Sequence, residues 1–310
     1  MQKPPLFTVF TPSYNRAWSL PRVFNCLKTQ TIKDFEWIIV DDGSTDNTRE
    51  LVEQWQQLAE FSIIYHWQPN QGKHIAYNTV ASLAKGELFT NIDSDDEIIP
   101  EALETMAKRW GVVAEEQRKY VSGIMFVSKD QYGNIIGDKF PEDGEICDLA
   151  ELLLVRKIKG DKGGFLQTRV FKMYPFPESV KNVLVPEMVF IHQLAHDWKT
   201  MCVNDVLRIY WIDEREDHLG GQFADPKSYS GIRLSHLALL NYSTRLFWRI
   251  PKTFFANTAY YIKTSLHLKI SLYKQCKDIE TMMGKMIWML SLPAGYLLYK
   301  WIVSIENKEF

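Results

Sequence analysis

Cysteine is scarce in this 310-residue chain, and its four cysteines (Cys26, Cys147, Cys202, Cys276) lie far apart with no CxxC pair. That spacing excludes a zinc ribbon or a disulfide-stapled scaffold and suits a reducing, cytoplasmic compartment. Glycine is missing from the loop after the first apolar run, Thr11-Pro12-Ser13-Tyr14-Asn15-Arg16. A GxGxxG dinucleotide loop and a Walker loop are therefore both excluded there. Long apolar runs are also lacking. Leu6–Phe10 is five residues followed at once by Thr-Pro-Ser, so no signal peptide is expected. Met286–Tyr299 is a charge-free run of 14 residues interrupted by Pro293 and Gly295, short of the roughly 20 that a spanning helix needs. His192 and His196 have i, i+4 spacing without the HExxH glutamate, since Gln193 follows His192. They read as ordinary, partly buried histidines rather than a zinc pair.

What is present is the balance of a globular protein, 46% hydrophobic and 24% charged, with length for two domains or one large one. The net charge of −2 divides unevenly: from Ile232 onward it is +7, and the remainder is −9. An acidic body argues against nucleic acid as a partner, because phosphate neutralisation requires clustered Lys and Arg. Residues 244–274 are rich in aromatics, Lys and Arg and contain no acid. That composition points to helices at a membrane interface, with a self-packed or homodimeric helical subdomain as the alternative. Met286–Tyr299 reads as an interfacial or re-entrant segment.

Strand, loop and helix alternate through the first 111 residues. Leu6–Phe10, Trp37–Val40, Ser62–Tyr65 and Glu87–Ile92 read as buried strands. Helices are predicted over about 20–27, from near Thr48, along the Ile75, Ala76, Val80, Leu83 stripe, and from Pro100 to Gly111. This order predicts a mostly parallel α/β sheet flanked by helices, with ligands beyond the carboxyl ends of its strands. Those ends carry Thr11–Asn15, Asp41–Ser44 and Asp93–Asp96. Further on, Tyr120–Val127 reads as a strand, Gly160–Gly164 as a loop, and Pro186 should open a helix to about Trp198.

Asn91-Ile92-Asp93-Ser94-Asp95-Asp96 puts three carboxylates within four residues. Hard oxygen ligands of this kind suit Mg²⁺ or Mn²⁺, and a metal held by one or two carboxylates completes its shell with water and substrate phosphates. The residues thus predict a diphosphate ligand with the metal. An acidic turn capping the next helix is the other reading; its place at a strand end, beside a second acid pair, favours the metal. That pair, Asp41-Asp42, could accept hydrogen bonds from a ribose or a base, or simply form a turn.

Thr11-Pro12-Ser13-Tyr14-Asn15-Arg16, Val40-Asp41-Asp42-Gly43-Ser44-Thr45-Asp46, Gln71-Gly72-Lys73 with Asn78, and Asp93-Ser94-Asp95-Asp96 together resemble the signatures of the inverting family-2 glycosyltransferases, in that family's order and spacing. The resemblance is specific over about residues 6–110 and looser to about 215. It implies a GT-A fold that binds a nucleotide-diphosphate sugar, a UDP-sugar being favoured. The nucleotide-sugar set it implies is Thr11, Pro12, Tyr14, Asn15, Arg16, Asp41, Asp42, Lys73, Asn78, Asp93 and Ser94. Its implied Mn²⁺ or Mg²⁺ ligands are Asp95, Asp93 and Asp96, with His218 as a further candidate. It also implies a general base on the acceptor side, for which Glu187 at the predicted helix start fits, with Glu178 and Glu214 in reserve. The acceptor implied is a glycan or lipid-linked hydroxyl in bacterial surface-polysaccharide assembly, at the inner face of the cell membrane.

The resulting organisation is a nucleotide-sugar half over 1–111, an acceptor half over 112–231, and membrane-associating or oligomerising helices over 232–310. Nucleotidyl transfer would also use paired acids and Mg²⁺, but with a glycine-rich basic loop where Thr11–Arg16 stands. A non-catalytic sugar-nucleotide scaffold is the remaining alternative. A glycoside hydrolase would need two carboxylates but no nucleotide site.

Overall fold

The computed structural model describes residues 3–212 and 226–306, with side chains as far as Ser304. The chain divides into two compact units: residues 1–153, 157–176 and 198–214, and residues 154–156, 177–197 and 215–310.

The first unit is built on a nine-stranded mixed sheet. Its strands are β1 (Phe7–Ser13), β2 (Phe35–Asp41), β3 (Ser62–Trp67), β4 (Leu88–Asn91), β5 (Glu97–Ile98), β6 (Val121–Asp130), β7 (Glu145–Cys147), β8 (Lys162–Gln167) and β9 (Lys199–Tyr210). The order is β3-β2-β1-β4-β8-β6-β9-β5, with β7 also paired to β9. β3, β2, β1 and β4 run parallel, as do β6 and β9; β8 runs antiparallel between β4 and β6. The helices of this unit are α1 (Leu20–Lys28), α2 (Thr48–Leu58), α3 (Lys73–Leu83), α4 (Ala102–Val112), α5 (Leu149–Leu154) and the single turn α6 (Thr168–Phe171).

Crossover helices explain why the parallel strands are near-continuous apolar runs: with both faces covered there is no polar side to show. Every residue of β2 is buried. α1 turns Leu20, Val23, Phe24 and Leu27 onto the sheet, and Pro21 sits in its first turn, where no helix N–H is needed. Phe24 stacks on Trp55 at 4.5 Å between centroids, and both lie beside Trp37. The predicted loop at Gly160–Gly164 is instead largely strand, since β8 begins at Lys162. The Phe126 ring lies against Gly163, where an added Cβ would come within 2.0 Å of it. Here glycine serves close packing, not a turn.

The second unit is helical: α7 (Met188–Asp197), α8 (Tyr229–Tyr242), α9 (Pro251–His267), α10 (Leu272–Asp278) and α11 (Met282–Glu306). The acid-free stretch 244–274 is a 3₁₀ turn, α9 and the start of α10, and α9 is buried through Phe254, Tyr261 and Ile262. Its Lys263 is also buried, with Nζ 3.7 Å from the Tyr229 ring centroid. The expected break at Pro293 does not occur, because α11 runs through it. Pro293 lies on the exposed side, where only the Met289 carbonyl loses its helix partner. His192 is buried with Nδ1 2.8 Å from Ser243 Oγ, and His196 Nδ1 lies 3.1 Å from the Tyr242 carbonyl. His192 is a buried structural histidine, whereas His196 is exposed rather than partly buried.

Candidate active site

The ends of β1, β2 and β4 come together because these strands are sheet neighbours in parallel register, with Ser13 opposite Asp41 and Phe10 opposite Asn91. The loop after β1 turns at Asn15, which has φ of +53°. Asparagine tolerates that left-handed conformation better than most residues. Its N–H donates to Ser44 Oγ and its Oδ1 accepts the Thr45 N–H, each at 2.8 Å. Asp46 accepts the Ala17 N–H from the same loop at 3.0 Å. The first two loops are thereby clasped together. Tyr14 stands half exposed on the rim, Pro12 is half buried beside it, and Arg16 lies over the Trp18 ring at 5.6 Å.

Asp41 and Asp42 are almost wholly buried, and protein donors occupy both. Asp41 accepts the Ser44 N–H at 2.8 Å and the Tyr65 hydroxyl at 2.6 Å. Burial and this bond to Asp41 push the Tyr65 phenol up in pKa. Asp42 accepts Gln68 Nε2 at 2.7 Å, the Gln71 N–H at 3.0 Å and the Gly72 N–H at 2.7 Å. Gly72 has φ of +102°, a glycine conformation, and it launches α3 so that Lys73 is its first residue. Thr11 also faces inward: it is fully buried and its hydroxyl accepts the Trp37 indole N–H at 3.0 Å, so the sheet uses it. Asn78 holds the Phe176 backbone from both sides, accepting its N–H and donating to its carbonyl.

The acidic turn after β4 is organised by cations from distant parts of the chain. Lys73 Nζ lies 2.9 Å from Asp93 Oδ1. Arg208 of β9, 5% exposed in its side chain, pairs with Asp96 through Nε and Nη2 and reaches both Asp93 and Asp161 at 3.3 Å. The Trp211 N–H donates to Asp96 Oδ1 at 3.2 Å. Arg22 donates to the Asp95 backbone carbonyl and lies 4.0 Å from the Trp211 ring centroid. Burial opposes charge on Asp93, but Lys73 and Arg208 outweigh it and hold the carboxyl below the usual carboxylate range. For the deeper Asp96, burial and the charge of Asp93 push upward against the pull of Arg208. The cluster raises Arg208 further above its ordinary range. Ser94 is buried within the turn.

Among the acids of this turn, the half-buried Asp95 carboxylate alone has no protein partner within the described residues. No group of three or more His, Cys, Asp or Glu side chains there is placed to hold a metal ion. A divalent cation here would have Asp95 as its protein ligand, with phosphates and water completing the shell, the usual arrangement for Mg²⁺. Glu187, exposed and just ahead of α7, belongs to the second unit. His218 and Glu214 lie outside the described residues. Sequence reasoning missed Arg208, Asp161, Arg22 and Trp211. One signal was available: Arg208 interrupts the run Val206-Leu207-Arg208-Ile209, and a charge inside a buried strand demands a partner.

Residues 8–137 match the family model described as Glycosyl transferase family 2. Over 107 residues the chain is 36% identical to the chondroitin synthase of Pasteurella multocida, a match covering 34% of this chain and 11% of that one. The chain covers only 31% and 19% of the length of the first two curated relatives it matches. Among solved structures it is similar to S. aureus TarS 1–349 in complex with UDP-GlcNAc, with a TM-score of 0.62 and 18% identity over 91% of this chain and 90% of that one. It is also similar to the mannosyltransferase PcManGT from Pyrobaculum calidifontis in complex with GDP-Man and Mn²⁺, with a TM-score of 0.51 and 16% identity over 96% and 88%. At these identities the likeness is one of fold, and the fold is GT-A-like.

Proposed function

We propose, from the premise that this chain belongs to glycosyl transferase family 2 over residues 8–137, that it is a metal-assisted, inverting glycosyltransferase. Its donor is a nucleoside-diphosphate hexose, with UDP favoured, and its acceptor is a hydroxyl of a glycan or lipid-linked sugar. One observation carries the reading: in a turn whose other carboxylates are paired, Asp95 is left over at the end of the strand where such folds bind ligands. The complexes of TarS with UDP-GlcNAc and of PcManGT with GDP-Man and Mn²⁺ support the ligand class, and the chondroitin synthase supports a glycan product.

In this reading Tyr14 and Pro12 border the nucleoside, and Lys73 offers its charge to the diphosphate while holding Asp93. Asp41, Asp42 and Asn15 keep the loops in place. A divalent cation at Asp95 would supply positive charge to the departing diphosphate. Arg208 contributes by holding Asp93 and Asp96, so that the turn presents Asp95 outward. The acceptor oxygen attacks the anomeric carbon, its proton goes to a general base for which Glu187 is the candidate the sequence offers, and the bond to the diphosphate breaks on the opposite face, inverting the centre. We place the enzyme on the cytoplasmic side of a cell membrane, in keeping with four cysteines that are widely spaced in the sequence with no CxxC pair.

Thermal melts with UDP, GDP, TDP and CMP, each with and without Mn²⁺, test the donor site. A ligand at 100 times its Kd stabilises the native state by about 2.7 kcal/mol. The expected result is a rise in Tm with one diphosphate only when Mn²⁺ is present; no response to any of them contradicts the reading. Glu187→Gln should keep that response and lose transfer, and normal turnover by the variant would assign the base elsewhere.

A further inference from the structure

The outward side of α11 is the wrong way round for a water-facing helix. Met286, Met289, Leu290, Leu297 and Trp301 are each more than half exposed, while Ser291 on the opposite side is buried. The helix is about 34 Å long from Met282 to Ser304 at 1.5 Å per residue, and by length and composition it could cross a bilayer. Its inner side is already occupied within the second unit. Ile287 and Trp288 are buried, the Trp288 indole donates to Gln275, and His267 packs edge-on against Tyr299. At Gly295 the helix comes so close to Ile262 of α9 that an added Cβ would lie 2.6 Å away. Insertion across a bilayer would strip off all of these contacts, whereas burying the outward side in an interface disturbs none of them.

Charge decides between lipid and a second copy of the chain. Between residues 226 and 304, Lys252, Lys269, Lys274, Lys277 and Lys300 are exposed, and Glu280 is the one exposed acid among the described residues. Two such segments, each at +7 from Ile232 onward, would repel each other across a self-contact. Lys300 also lies exposed on α11 itself, where a dimer seam would have to bury it. An anionic bilayer surface complements the same cations and accepts the apolar stripe and the Trp301 ring at headgroup depth. We propose that α11 is an interfacial membrane-docking helix, lying on anionic lipid with its Met286–Leu290–Leu297–Trp301 side immersed. The sequence pointed to 244–274 and to Met286–Tyr299 for this role; α9 spends much of the first stretch on internal packing, and the second lies within α11.

The test is flotation of the full chain with phosphatidylcholine vesicles, with and without phosphatidylglycerol. The wild type should float with the anionic vesicles only, be released by high salt, and be extracted by alkaline carbonate. Leu290→Glu with Leu297→Glu changes two exposed positions and should reduce binding at least tenfold. The same variant should keep the wild-type melting curve and its response to nucleotide and Mn²⁺, so vesicle binding is read apart from the donor site. No flotation by the wild type, or equal flotation by the variant, would overturn the proposal. A homodimer in light scattering that the variant dissociates would assign the face to a second copy, and resistance to carbonate would replace docking by spanning.

Discussion

Two acidic turns stand at the ends of two strands of the first unit that both pair with β1, alike in sequence and different in the protein partners of their carboxylates. After β2, Asp41 and Asp42 together accept five hydrogen bonds from protein donors. After β4, Lys73 and Arg208 bind Asp93 and Asp96, and among the described residues the Asp95 carboxylate has no protein partner. A buried carboxylate whose acceptors are filled shapes the backbone around it, whereas an unfilled one can take a ligand. Counting donors distinguishes acids engaged by the protein from an acid still open to a ligand where residue type and strand-end position do not.

Substitutions can break this comparison. Arg208→Met should have the largest effect, because it leaves the buried Asp96 facing Asp93 without a cation. Removing one partner of a buried pair costs about 3–5 kcal/mol, and urea unfolding should show a loss of that size. A loss below about 1 kcal/mol would mean the acids manage without Arg208. Asp42→Ala should cost about 2–3 kcal/mol in the same measurement, since it strands the Gly72 and Gln71 N–H groups and Gln68. Tyr65→Phe removes a single hydrogen bond to Asp41 and should cost about 1 kcal/mol. Asp95→Asn should change stability by less than about 0.5 kcal/mol, as a partly exposed group with no partner to lose. A loss as large as that of Asp42→Ala would erase the distinction between the two turns.

Much of the first unit was legible because β1, β2 and β4 are largely buried and because prolines mark the starts of α1 and α4. β1 to β4 fall within a few residues of the apolar runs that predicted them. β8 was not legible, because Gly163 and Gly164 signal a turn, and nothing local reveals that Phe126 packs onto the strand. The acidic turn was readable as a site, but its cationic side was not: Arg208 is 112 residues from Asp96, and only the β5–β9 and β6–β9 pairings bring them together. Asp42 was legible as a strand-end acid, yet its partners come from the approach to α3, so its hydrogen bonds appeared only in three dimensions. In the second unit the composition signalled membrane-type surface over 244–274 and Met286–Tyr299, but not which sides of those segments are exposed. Exposure along α11 depends on which side packs on α9, and Gly295 against Ile262 settles that.

The most direct test of the account is to measure bound Mn²⁺ by electron paramagnetic resonance, in the presence of UDP, for the wild type and Asp95→Asn, with a thermal melt of each. The account predicts a bound-Mn²⁺ signal in the wild type, its loss in the variant, and coincident melting curves without ligand. Retained Mn²⁺ binding in the variant, or a marked drop in its melting temperature, would contradict the assignment of Asp95 as the acid the fold leaves for a ligand.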